Sequence, residues 1–184
     1  MKNKIKKGLC VKIFISLVTL VCLTAVVVNI SEARRVQEPT HQFFEGEPTK
    51  QLTIGIDFIG TIALGSEGQA REGMLDFLRE LKTRGHKVLL FTGTSYEECI
   101  QEIPELKNVI DGYRDKNDRS AISKFDFIID DDAKLMTSVK LVFEARGGNP
   151  DNCIIIPAPR SYDYKNNPFG WTNEIVELIQ RAGG

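Results

Sequence analysis

Hydrophobic positions fall along this chain in two rhythms. Short, nearly unbroken apolar runs occupy residues 51–58, 87–91, 125–129 and 152–156, each bounded by polar or turn-forming residues. Runs of that length without alternation predict strands covered on both faces, as in a parallel sheet. Between them, apolar residues recur every three or four positions. Met74, Leu75, Phe77, Leu78 and Leu81 predict a helix over 71–84, stopped by Gly85. Cys99, Ile100 and Ile103 share one face of a short helix over 95–103, ended by Pro104. Residues 134–146, closed by Gly147 and Gly148, and residues 172–181, with Thr172 as cap, predict two more. Strands alternating with helices predict an α/β fold, a three-layer Rossmann-like parallel sheet with helices on both faces. The first strand–helix–strand unit should cross over right-handed. Residues 105–124 are polar and show no clear period, and 157–170 read as a long loop with Trp171 at its exit.

The first 33 residues follow another rule. Lys2, Lys4, Lys6 and Lys7 form a basic start, residues 13–30 are almost wholly apolar, and Ser31-Glu32-Ala33 places small residues where a signal peptidase reads. This predicts a secretory signal peptide, removed to leave a chain starting near Arg34, and a periplasmic or secreted product. The apolar run of about eighteen residues is also just long enough to span a bilayer, so an uncleaved membrane anchor is the competing reading. Val21 before Cys22 does not suit a lipoprotein site. Residues 34–50, polar and holding Pro39 and Pro48, read as a linker, and 51–184 as one domain. His41 in the linker and His86 beside the second strand read as bystander and structural residues.

Composition narrows the partners. With 184 residues, 42% hydrophobic, 27% charged and a net charge of -1, the chain has an ordinary globular balance. It carries no nucleic-acid signature, and contact with a membrane would come only through the N-terminal segment, if that is retained. Export would place Cys99 and Cys153 where disulfides form, yet nothing in the pattern brings them together, and two buried free thiols is the simpler expectation.

The chemistry sits at strand ends. The first apolar run ends in Asp57-Phe58-Ile59-Gly60-Thr61, the second in Thr92-Gly93-Thr94-Ser95, and the third in Asp130-Asp131-Asp132. Carboxylates at the ends of two parallel strands occupy the place where open α/β sheets put their active sites. Ser95 with Glu98, or Thr94 with Glu97, fits a capping box and leaves Thr92 free.

An apolar strand followed by Asp-x-x-Gly-Thr, then Thr at the second strand end, then a strand ending in Asp-Asp, resembles motifs I, II and IV of the haloacid dehalogenase (HAD) superfamily. The resemblance covers nearly the whole chain from Gln51 onward. With short gaps after the first two motifs, it implies a small capless member. It implies Asp57 as nucleophile of an aspartyl-phosphate mechanism, Thr92 and Gly93 on the phosphoryl oxygens, and Mg²⁺ held by Asp57, the Ile59 carbonyl and Asp131, with Asp130 or Asp132 supporting. A motif III lysine is implied as well. Lys116 fits best by spacing and Lys124 second. Arg160, in the late loop, is a candidate substrate contact. The family normally carries a second Asp where this chain has Ile59, so the acid–base residue of motif I is missing, and Glu67 is the only acid in the following loop that could stand in. Two readings follow. One is an exported Mg²⁺-dependent phosphohydrolase acting on a phosphorylated small molecule or macromolecule. The other is a pseudoenzyme that binds a phosphorylated ligand or a protein partner.

Overall fold

The computed structural model describes residues 42–65 and 68–183. The expected signal or anchor, His41 and Glu67 lie outside the described residues. Among those described, no helix is long and apolar enough to cross a membrane.

Five parallel strands form one sheet in the order β3-β2-β1-β4-β5: β1 (Thr53–Ile56), β2 (Lys87–Thr92), β3 (Gly112–Asp115), β4 (Phe127–Asp130) and β5 (Cys153–Ile155). Among the described residues six α-helices accompany it: α1 (Met74–Thr83), α2 (Tyr96–Glu102), α3 (Leu106–Val109), α4 (Ala133–Ala145), α5 (Tyr162–Asn166) and α6 (Thr172–Arg181). The α/β class and the parallel sheet are as expected.

Strand periodicity explains the layers. Successive strand residues point to opposite faces. Ile54, Ile56, Val88, Leu90, Phe127 and Ile129 bury one face beneath α1, α2, α3 and α6. Leu89, Phe91, Ile128 and Cys153 bury the other beneath α4 and a 3₁₀ turn over Arg119–Lys124. Cys99 belongs to the first core and Cys153 to the second; both are buried and free. With the sheet between them, the two thiols cannot pair.

Several local differences have clear causes. The strand β3 was hidden in the polar stretch 105–124 because an edge strand need not be apolar, and its last two residues are exposed. Helix α1 starts at Met74, not residue 71, because Gly73 takes a left-handed φ of 73° and the Arg71 N–H is drawn to the Ile62 carbonyl. Thr172 does not cap α6; its hydroxyl donates to the Phe169 carbonyl at 2.9 Å. Of the two capping boxes, the chain uses Ser95 with Glu98. His86 is buried, and its Nδ1 accepts the Leu52 N–H.

The stretch read as linker reaches into the core. Phe44 is fully buried, and Phe43 and Phe44 both pack on Phe77, which also meets Trp171 edge-on. The buried Glu80 carboxylate accepts the N–H groups of Phe43 (2.7 Å) and Phe44 (3.0 Å). The packed domain therefore includes residues 42–50.

Gly55 is required by packing. A Cβ there would stand 2.9 Å from the Phe125 ring, itself backed by Phe91. Gly55→Ala is expected to cost about 1–3 kcal/mol, with part regained when Phe125→Leu is added. Urea denaturation of the four members of that cycle checks it; additive losses would contradict the contact.

Candidate active site

The chain steps from β1 through β2 to β3 on one side, then returns to β4 on the other side of β1. The crevice at the carboxyl ends of β1 and β4 is therefore the switch point of the sheet, where such folds open to ligands. The register pairs Ile56 with Ile129, so Asp57 and Asp130 follow side by side. The Asp57 N–H continues the ladder to the Ile129 carbonyl at 3.0 Å. Both carboxylates are buried.

Lys116 is brought to them by β3. Asp115 pairs with Thr92, and the Lys116 N–H donates to the Thr92 carbonyl at 3.1 Å. Its ammonium then lies 3.0 Å from Asp57 Oδ1 and 2.7 Å from Asp130 Oδ2. Lys124 is exposed in the 3₁₀ turn that precedes β4, away from these carboxyl ends. Thr92 is buried, accepts the Thr94 N–H, and its hydroxyl also bonds the Asp57 carboxylate. Gly93 beside it is exposed.

Of the three consecutive acids, each has its own place. Asp130 joins Asp57 and Lys116. Asp131 accepts the Thr61 hydroxyl at 3.3 Å. Asp132 caps α4, accepting the N–H groups of Lys134 and Leu135. Asp131 lies against Gly60, whose φ is 83° and whose missing Cβ would fall 2.2 Å from Asp131 Oδ2. Only glycine serves there. Ile59 is 56% exposed at the mouth of this turn. Arg160 is exposed, and no hydrogen bond or ion pair among the described residues draws it to the cluster.

One residue of this neighbourhood was not legible beforehand. Arg71 is 1% exposed and donates to the carbonyls of Thr61 (2.9 Å), Gly60 (2.5 Å) and Pro157 (2.8 Å). Its place as the first residue of the expected helix gave no sign of a role, since its partners are backbone atoms of distant loops.

One oxygen from each of Asp57, Asp130 and Asp131 lies within 4.8 Å of the others. The donor set is all oxygen, which suits a hard divalent cation. Three carboxylates gather here; the Lys116 ammonium pairs with Asp57 and Asp130, and the Arg71 guanidinium attracts Asp131 from farther off. Burial, then the neighbouring Asp130 charge, push Asp57 from the ordinary 3.8 to about 6, against the opposing pull of Lys116. Burial also raises Asp130. Burial pulls Lys116 down, but the Asp57 and Asp130 carboxylates outweigh it and leave the ammonium raised. No protein-family model, curated protein or solved structure significantly matches the chain.

A carboxyl with a raised folded pKa favours the fold below its unfolded value of 3.8 and loses that contribution as pH rises through about 6. Asp57→Asn cannot ionise. In chelator at pH 8 it should exceed wild type in stability by on the order of 2 kcal/mol, the gap closing between pH 6 and 4. Chemical denaturation across that range checks this; a variant weaker than wild type at pH 8 would contradict it.

Proposed function

We propose that the chain is an exported, Mg²⁺-dependent phosphohydrolase of the HAD type, acting on a phosphorylated small molecule or macromolecule. The observation that carries this reading is the Lys116 ammonium shared by Asp57 and Asp130 at the ends of adjacent strands. Asp57 would attack phosphorus in line, and the leaving oxygen would depart with the electron pair of the broken P–O bond. Water would then hydrolyse the aspartyl phosphate, releasing phosphate and restoring the carboxylate. Lys116, the Thr92 hydroxyl and the exposed backbone at Gly93 offset and orient charge on the phosphoryl oxygens. Asp57, Asp131 and the Ile59 carbonyl, with Asp130 supporting, would hold Mg²⁺, which supplies further charge neutralisation when bound. Export rests on the basic, apolar and small-residue pattern of residues 1–33.

Ile59 shapes the substrate class. It has no proton to give, and general acid–base catalysis is worth about 10²–10⁴-fold. Acyl and aryl phosphates, whose leaving groups need little protonation, are the substrates this site suits. The same residue favours a second reading, a site that binds a phosphorylated ligand or a protein partner without turnover. Because Ile59 is exposed, an aspartate there would not be buried.

Phosphatase assays with an aryl phosphate, an acyl phosphate and nucleotides, with Mg²⁺ or chelator, decide between them. The hydrolase reading expects Mg²⁺-dependent turnover that Asp57→Asn abolishes, and a gain of about 10²-fold or more with Ile59→Asp on poor leaving groups. Turnover only in Ile59→Asp would establish the binding role, and silence from both would overturn the catalytic assignment.

A further inference from the structure

Arg71 is a costly residue where it stands. The residue is 1% exposed, no carboxylate lies within ion-pair distance of it among the described residues although Asp131 attracts it from farther off, and Nη1 is buried without a hydrogen-bond partner. A buried charge held mainly by carbonyls is commonly less stable than an apolar side chain of similar volume. Packing alone therefore does not account for it.

What it touches does. Nε and Nη2 hold the carbonyls of Thr61 and Gly60, consecutive residues. Those two residues also cradle Asp131, Thr61 through its hydroxyl and Gly60 by having no Cβ. The Gly60 N–H is tied to the Ala63 carbonyl at 2.8 Å, so Gly60 is held through both its N–H and its carbonyl. Nη2 also reaches Pro157 after β5, and the Tyr164 ring of α5 covers the guanidinium at 4.7 Å. Arg71 is itself mounted firmly, its N–H on the Ile62 carbonyl and its carbonyl accepting from Met74 at the start of α1.

The geometry points to Arg71 as a positioning residue: its planar fork clamps the loop after β1 to the loop after β5, and so sets the divalent-cation affinity of the Asp57–Asp130–Asp131 cluster. This rests on that cluster being a cation site and not on turnover. Lysine keeps the charge but loses the fork, so it cannot hold both carbonyls in one plane.

Calorimetric titration of the full-length protein with Mn²⁺ alone tests the clamp. Arg71→Lys and Arg71→Met, each verified as folded by circular dichroism, are expected to bind Mn²⁺ about tenfold more weakly, the range typical when a residue supporting metal ligands is lost. Tyr164→Leu, which keeps the fork but uncovers it, should weaken binding by a smaller factor. It carries the test if the Arg71 variants do not fold. Wild-type affinity in folded Arg71→Lys and Arg71→Met overturns the proposal. So does wild-type affinity in Tyr164→Leu where neither Arg71 variant folds. Wild-type affinity in Arg71→Lys with weak binding in Arg71→Met also overturns it, because charge and not the fork would then be at work. Wild-type protein that binds no Mn²⁺ overturns the clamp together with the cation site. Mn²⁺ binding without phosphatase activity overturns only the hydrolase reading.

Discussion

Two carboxylates end neighbouring strands, and one ammonium lies between them. Buried like charges a few ångströms apart repel strongly, and the arrangement persists only because Lys116 is supplied at that height of the sheet. That supply depends on strand order. Lysine follows β3, β3 pairs with β2, and β2 separates it from β1, so the side chain must reach back across Thr92. Shifting β3 by one residue would reverse which face Lys116 meets. The register of the edge strand, although its own side chains bury little, is thus fixed by the chemistry at its end.

The central strands were legible because burial on both faces forces continuous apolar runs. Asp57, Thr92 and Asp130 were legible for a related reason: a polar residue ending such a run has only the sheet edge to occupy. The edge strand β3, Gly-Tyr-Arg-Asp, has no such constraint and was not legible, so spacing ranked Lys116 ahead of Lys124 without showing what carries it to the site. The resemblance singled out Asp131 but left Asp130 and Asp132 open as its support; that Asp130 joins Lys116 while Asp132 serves a helix end follows from where β4 stops and α4 begins. Arg71 was invisible because everything it holds is backbone far away along the chain. The Phe43–Phe44 pair was lost for the opposite reason, being two apolar residues in a stretch otherwise written in polar and proline residues.

The two faces of the sheet and its carboxyl edge carry different burdens. The cores on either side hold aliphatic and aromatic residues in close contact, and Gly55 shows how little room is left, since one methyl would meet Phe125. The edge gathers groups that would each be unfavourable alone: buried acids, a buried guanidinium, a left-handed turn at Gly60. Rigid faces make that concentration of unfavourable groups tolerable, because the strands cannot relax apart to relieve it.

The hold of Glu80 on Phe43 and Phe44 sets a limit on how this domain can be joined to anything else. Two backbone amides and two rings are committed at positions 43 and 44. A protease acting upstream of Gln42, or a fusion partner attached there, leaves the aromatic core whole. A cut between Phe44 and Leu52 removes a fully buried ring from the core and strands a buried carboxylate without donors. The effective boundary of the folded unit is therefore set by a helix residue 36 positions downstream of the ring it secures.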